Sequence, residues 1–382
     1  MDGKIGIITH FYRSTNYGGN LQAYALCKYL NGQYCAEQIQ YKRNAGPIVR
    51  RVARSIYQSI KSIPIRMKHA SVYEWIDQRK RVFEVFKDAE IPHSKVIYRN
   101  HQLKDLSLAY QVFITGSDQV WHPSAVCDAY LLSLGVTGVN KIAYAASVAK
   151  DELTAEQESR YRNAFADYKA ISVREESAVP MIQKLSPVKV QWAVDPVFLL
   201  SREQWNTVVG SEKERKKYAF CYFLGDSYEQ RRLAKEYASE LSLEIVTIPY
   251  LNNQYRECDD GFGDELIYCA DPFEFVRLIR DADVVLTDSF HAMAFSLIFH
   301  KQFFVFERKA AATMSSRILS MANMFGVTDR FCNEEAKLKK DWLLASLPVD
   351  YSRPTNEFET LRNDSIRFLK ENIDACLGDK KV

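Results

Sequence analysis

The segment Thr287-Asp288-Ser289-Phe290-His291 places a histidine where one hydrophobic pattern gives way to another. Before it, Asp283-Val284-Val285-Leu286 is continuous, β-branched and apolar, as a buried parallel strand requires. After it, residues 292–299 are apolar with helical spacing. His291 therefore belongs at the carboxyl end of a strand and the amino end of a helix, where open α/β sheets bind ligands. Backbone N–H groups there attract anions, and an imidazole beside them transfers protons near neutral pH. The alternative is a histidine that only caps the helix or fills a gap.

Four other segments carry chemistry-bearing residues after apolar runs. Asn16-Tyr17-Gly18-Gly19-Asn20 opens a helix over 21–30, and its glycines let backbone approach a ligand closely, unless they only make a turn. Gly116-Ser117-Asp118-Gln119-Val120-Trp121 sets a carboxylate near an indole. That pair suits a sugar, whose C–H face stacks while the acid binds hydroxyls; the spacing itself favours an Asp cap beside a core Trp. In Ser172-Val173-Arg174-Glu175-Glu176-Ser177, Arg174 is placed to grip carboxylate or phosphate by two parallel hydrogen bonds, or to pair with a neighbouring Glu. Arg308 and Ser315-Ser316-Arg317 follow the run 303–306, adding two cations and two hydroxyls to the edge that carries His291.

The elements that must hold these residues alternate between strand and helix, which predicts parallel sheets with helices on both faces. Strands are expected over 4–9, 37–41, 112–115, 141–147, 171–173 and 190–194, then over 218–224, 244–249, 283–288 and 303–306. Two domains follow from the 382 residues, with the break near Asp195-Pro196 and a linker reaching about Glu203. Residues 1–195 and 204–350 are the expected domains. Residues 351–382 end in a helix with Phe358, Leu361, Ile366 and Leu369 as its buried stripe.

With 47% apolar and 26% charged residues, the chain is that of a globular enzyme rather than a disordered one. A net charge of +3 gives no argument for nucleic acid. The eight cysteines form no Cys-x-x-Cys pair or zinc spacing, so they read as buried thiols in a reducing cytoplasm. No signal-peptide pattern or run long enough to span a bilayer is seen. Residues 42–68 hold eight Lys or Arg and no acid, with apolar positions at helical spacing. That composition fits an amphipathic helix on an anionic membrane surface, or a packed helix with a solvated basic face.

The same segments, in this order, resemble the polysaccharide pyruvyl transferases over residues 4–330. The resemblance rests on Asn16 to Asn20, Thr115 to Trp121, Ala143-Tyr144-Ala145-Ala146-Ser147, Ser172 to Ser177, Asp195-Pro196, Thr287 to His291 and Ser316-Arg317-Ile318. It implies two Rossmann-like parallel-sheet domains arranged as in GT-B glycosyltransferases, with the site in the interdomain cleft. It further implies pyruvate transfer from phosphoenolpyruvate to two hydroxyls of a sugar as a cyclic ketal, in exopolysaccharide or cell-surface glycan biosynthesis.

By that resemblance His291 and Asp118 are catalytic, and Arg174, Ser289, Phe290, Arg308 and Arg317 bind the donor. Asn16, Tyr17, Gly18, Asn20 and Trp121 face the acceptor. Some members carry Arg-Leu-His where this chain has Ser289-Phe290-His291, so the missing cation is expected from Arg308 or Arg317. A glycine is common after the histidine, where this chain has Ala292. Carbon–oxygen rather than phosphorus–oxygen cleavage demands no metal, and no cofactor is expected besides phosphoenolpyruvate as co-substrate. The expected partners are a lipid-linked or polymeric sugar and an anionic membrane surface through 42–68, with a cytoplasmic location at the inner face of the membrane. The rival readings are a nucleotide-sugar glycosyltransferase, for which Asp281-Ala282-Asp283 matches a metal-binding pattern, and a non-catalytic sugar-binding protein.

Overall fold

A computed structural model describes residues 3–43, 67–211, 215–251, 255–308, 315–334, 337–352 and 356–378. The bulk of the basic segment 42–68 lies outside the described residues.

Strands β1 (Lys4–Ile8), β2 (Cys35–Gln38), β3 (Val112–Thr115), β4 (Asn140–Ala146), β5 (Tyr168–Val173) and β6 (Val190–Trp192) form one six-stranded parallel sheet, ordered β2-β1-β3-β4-β5-β6. Strands β7 (Tyr218–Tyr222), β8 (Glu244–Thr247), β9 (Glu265–Leu266), β10 (Val284–Thr287), β11 (Gln302–Phe306) and β12 (Phe331–Cys332) form the second, ordered β12-β11-β10-β7-β8-β9. Runs such as Val112-Phe113-Ile114-Thr115 and Val284-Val285-Leu286-Thr287 are wholly buried, because helices cover both faces of a parallel sheet. The strand order reverses between β1 and β3 in one sheet and between β10 and β7 in the other. Loops diverge at such points and leave a crevice at the strands' carboxyl ends.

Five helices matter most to the crevice: α1 (Tyr17–Leu30), α2 (Ala70–Glu90), α3 (Pro272–Asp281), α4 (Phe290–Ile298) and α5 (Ser315–Met324). Helix α1 begins four residues before the expected 21–30, because Asn16 accepts the Gly19 N–H at 3.0 Å and caps it there. One hydrophobic core runs through both sheets, including Leu21 and Ile114 on one side and Phe220, Val285 and Phe303 on the other. Tyr17 is its seam: its ring stacks on Phe275 of α3 at 4.7 Å, and its hydroxyl donates to the Ala270 carbonyl at 2.9 Å. Arg79 of α2 lies over the same ring at 4.7 Å and donates to the Pro249 carbonyl at 2.9 Å.

The last helix, α6 (Asn356–Gly378), returns to the first domain. Ser365 Oγ accepts the Val194 N–H at 3.0 Å, and the Cys376 carbonyl accepts from Asn140 at 3.0 Å. Its buried face is Phe358, Phe368, Leu369, Ile373 and Cys376; Leu361 and Ile366 sit at its margin. Five cysteines are buried as expected, but Cys35 is exposed and Cys127 and Cys269 are half-buried. Among the described residues, no helix is long and apolar enough to cross a membrane.

Candidate active site

The loops after β1, β3, β4, β5 and β6 meet those after β7, β10 and β11, and their polar residues converge around His291. Helix α4 sets the ring: Ser289 is its cap, with Oγ accepting the Ala292 N–H at 3.4 Å, and His291 lies in the first turn. Asp288, just before, is buried and accepts the N–H groups of Leu224 and Gly225, both at 2.7 Å. This ties the β7 loop to the β10 turn. Burial holds the Asp288 carboxyl above its ordinary range, against the Arg308 guanidinium at 4.0 Å and those two N–H groups.

Across the cleft the start of α1 presses on the imidazole. A Cβ on Gly18 would lie 2.0 Å from His291 Nδ1, so only a glycine allows this approach. The opposite edge of the ring, Nε2, points to Asp195 Oδ2 at 3.6 Å. Asp195 begins the turn after β6, accepting the Val197 N–H on Oδ1 at 3.1 Å and Arg174 Nη1 on Oδ2 at 2.6 Å. Burial would raise its carboxyl, yet His291, Arg174 and the Val197 N–H together hold it well below the usual range.

Arg174 is 5% exposed and surrounded by acids: Asp195, Asp118 Oδ1 at 3.6 Å and Glu175 Oε1 at 3.7 Å. Its guanidinium lies over the Phe290 ring at 4.7 Å, which fixes the plane of the fork. Nη1 is the atom bound to Asp195, while Nε and Nη2 are buried with no hydrogen-bond partner among the described residues. Glu175 is anchored by the Ser147 hydroxyl at 2.5 Å and the Val148 N–H at 3.3 Å. Arg317, in the first turn of α5, lies 5.8 Å from the same Phe290 ring and has its Nε buried without a partner among the described residues. Burial and the neighbouring Arg174 push Arg317 down to about 10, despite Glu175 and Asp118.

Asp118 is aimed by a constrained loop. Gly116 has φ +110°, and a Cβ there would meet the Tyr144 carbonyl oxygen at 2.2 Å. Asp118 itself has φ +59°, and nearby Ala145 and Ala149 share the left-handed region. Such backbone costs about 1–3 kcal/mol per residue and gathers at functional sites. The Asp118 peptide is pinned to β4 by the Ser147 N–H, which donates to its carbonyl at 3.0 Å. Burial opposes ionisation of Asp118, but Arg174, His291, His10 and Arg317 outweigh it and hold the carboxyl below its ordinary range.

His291, Asp118, Arg174, Phe290 and Arg317 thus converge, with Ser289 as the helix cap and Arg308 beside Asp288. Asn16 and Gly18 reach the cleft through the α1 turn, where Gly19 lies 3.6 Å from Asp118 Oδ2 by its would-be Cβ. Three expected acceptor residues do other work. Trp121 is not an open platform: its indole is fully buried, packs on Phe165 at 4.7 Å and donates to the Tyr130 carbonyl at 3.1 Å. Tyr17 is buried in the interdomain seam. Asn20 is buried with its amide on the carbonyls of Ser14 and Asn16, bracing the loop before α1. Asp281 and Asp283 are also occupied, by Arg280 at 2.6 Å and the Tyr218 N–H at 2.9 Å, at the strand end away from His291.

Sequence reasoning passed over Asp195, Glu175 and His10 as site residues. His10 follows β1 and holds its Nε2 3.1 Å from the Gln119 carbonyl, beside Asp118. The available signal was positional: each lies at a strand's carboxyl end, like His291.

Two parallel six-stranded sheets facing each other across a cleft define a GT-B-like α/β protein. The chain belongs to the polysaccharide pyruvyl transferase family, whose model matches residues 16–309. Comparison with curated proteins gave no match. Among solved structures, UDP-GlcNAc 2-epimerase from Methanocaldococcus jannaschii, in complex with UDP-GlcNAc and UDP, superposes with a TM-score of 0.55 at 10% identity, covering 97% of this chain and 100% of that one. The Neisseria meningitidis UDP-GlcNAc 2-epimerase bound to UDP-GlcNAc gives 0.51 at 11% identity, with 97% and 100% covered. At such identities the likeness is one of fold.

Proposed function

We propose that this protein transfers pyruvate from phosphoenolpyruvate to two hydroxyls of a sugar, forming a cyclic ketal during exopolysaccharide or cell-surface glycan assembly. The observation that carries the reading is the convergence of His291 Nε2 and Arg174 Nη1 on Asp195 Oδ2, at 3.6 and 2.6 Å, with Arg174 Nε and Nη2 making no hydrogen bond among the described residues. Arg174 and Arg317 hold the donor's carboxylate and phosphate over the Phe290 ring, helped by N–H groups at the starts of α1 and α4. His291 delivers a proton to the methylene carbon, which makes the adjacent carbon oxocarbenium-like. One sugar hydroxyl attacks that carbon, Asp118 orients it and takes its proton, phosphate leaves, and the second hydroxyl closes the ring. Of the two hydroxyl protons, one replaces the proton now on the new methyl group and the other departs with phosphate.

The acceptor is a lipid-linked or polymeric sugar. The basic segment 42–68 brings the enzyme to the anionic inner face of the membrane from the cytoplasm. Incubation with phosphoenolpyruvate and a panel of lipid-linked and synthetic glycosides tests the reading, through free phosphate and product mass. Release of nucleotide from a nucleotide sugar, with no phosphate from phosphoenolpyruvate, makes the protein a glycosyltransferase instead. Sugar binding without turnover of either donor makes it a binding protein.

A further inference from the structure

The loop of Asp118 and the turn that walls His291 are joined by one buried side chain that the proposed reaction leaves unused. Gln22, in the second turn of α1, is fully buried, as is Ser117, and Thr9 at the end of β1 is nearly so. Gln22 Oε1 accepts the Ser117 N–H at 3.1 Å. Its Nε2 donates twice, to the Gly19 carbonyl at 2.9 Å and to Thr9 Oγ1 at 3.1 Å. Thr9 Oγ1 in turn donates to the Ser117 carbonyl at 3.1 Å, so both backbone polar groups of Ser117 are held. The direction of each bond is fixed by its partners. A backbone N–H only donates and a carbonyl only accepts, so turning the Gln22 amide over would break both ends.

We propose that Gln22 is a positioning residue that, with Thr9, sets the spacing between the Asp118 carboxylate and the His291 ring. Ser117 immediately precedes Asp118, whose Oδ2 would lie 3.6 Å from a Cβ on Gly19. Gly19 immediately follows Gly18, the backbone wall of the His291 ring. One amide therefore grips the root of the carboxylate and the root of the wall together. Asp118 has φ +59°, a conformation that persists only where the surroundings hold it. The closed network supplies that hold on one flank, and His10 Nε2, 3.1 Å from the Gln119 carbonyl, supplies it on the other. A buried network with every partner satisfied defines one geometry, and removing a member strands a buried polar group. The inference deepens the pyruvyl transfer reading, and its catalytic consequence rests on that reading.

Gln22→Met keeps the length of the side chain and removes its hydrogen bonds. It should lower kcat for phosphate release about 10–100-fold while the phosphoenolpyruvate KM stays within about threefold, because Arg174 and Arg317 stand on other elements. Thr9→Val should act in the same direction and Thr9→Ser should restore most of the rate. The double variant should lose little more than Gln22→Met alone, since both act through one network. A lowered melting temperature with kcat as in wild type makes the network structural only and overturns the proposal. A raised KM at unchanged kcat overturns it too. Hydrogen exchange at the Ser117 amide needs no turnover: the amide should be protected in wild type and exchange at least about tenfold faster in either variant. Should Gln22→Met fail to fold, Thr9→Val carries both comparisons, and a freely exchanging Ser117 amide in wild type refutes the clamp. Wild-type protein that passes the exchange test but never releases phosphate from phosphoenolpyruvate sinks the pyruvyl transfer reading and leaves the clamp standing.

Discussion

Gly18 and His291 touch across the two domains with no side chain between them: a Cβ on the glycine would sit 2.0 Å from the ring nitrogen. The start of α1 is thus a wall of the histidine's own socket. The ring's position is set by backbone from the opposite sheet rather than by its own helix alone.

Gly18→Ala should therefore displace the ring while leaving the fold standing. Overpacking of this kind costs about 1–3 kcal/mol of stability, but a misplacement of about 1 Å at reacting groups can cost roughly 10²-fold in rate. Phosphate release from phosphoenolpyruvate in the presence of acceptor, set beside a melting curve, separates the two effects. A variant with normal rate would show that the ring moves without consequence.

Arg174→Lys should keep the buried pair with Asp195 yet lose the planar fork over Phe290. Donor kcat/KM is expected to fall about 10–100-fold, chiefly through lost orientation. Arg174→Gln should also destabilise, by about 3–5 kcal/mol, since it strands a buried carboxylate. Wild-type donor kinetics in the lysine variant would mean that the arginine serves structure only.

Binding of the donor should raise the melting temperature. Arg317 and Arg174 flank one ring with donor groups unspent, and burial makes their mutual repulsion felt. An anion present at about 100 times its dissociation constant stabilises by about 2.7 kcal/mol. Phosphoenolpyruvate should do this where chloride at equal ionic strength does not. An Arg317→Ala variant that still gains the full shift would place the donor elsewhere.

Asp118 gives the pH dependence its sign. Its folded carboxyl is held below the ordinary value of about 3.9. It therefore contributes stability that is complete above that value and is lost as pH falls through the lower folded one. Melting temperatures of wild type and Asp118→Asn should differ at pH 7 and converge toward pH 3. A gap that widens on acidification would contradict the assigned pairing with the cations around it.

Trp121 separates scaffold from acceptor site. Trp121→Ala should cost about 3–5 kcal/mol, as loss of a fully buried aromatic does. Trp121→Phe, which keeps much of the packing, should leave the acceptor KM unchanged. A raised acceptor KM at unchanged stability would restore the indole as a sugar platform.

Most strands of four or more residues were legible because continuous burial leaves an apolar run, as at Val112 to Thr115. Strand β2 (Cys35–Gln38), with an exposed first residue, leaves none and begins two residues before the expected 37–41. The two-residue strands Glu265–Leu266 and Phe331–Cys332 leave no such pattern. The first turn of α1 was read as loop because two glycines lower helix propensity, and the Asn16 cap overrides them. Asp195 was read as a turn before proline, since its role depends on Arg174 and His291, which only the tertiary fold brings near. Trp121 follows a polar loop that leaves platform and core open as readings, and Tyr161, Phe165 and Tyr168 enclose it from later in the chain. Partners distant in sequence cast no local signal.

The apolar seam at Tyr17, Phe275 and Arg79 bears on how cargo gets in and out. A clamshell needs a hinge that two lobes can flex about, and here the lobes share one continuous filling. Prising them apart would wet Tyr17 and tear its bond to Ala270, a penalty on the scale of partial unfolding rather than of breathing. A ligand must then enter by movement of side chains and loops at the rim, at the tempo of local fluctuation rather than of a closing jaw.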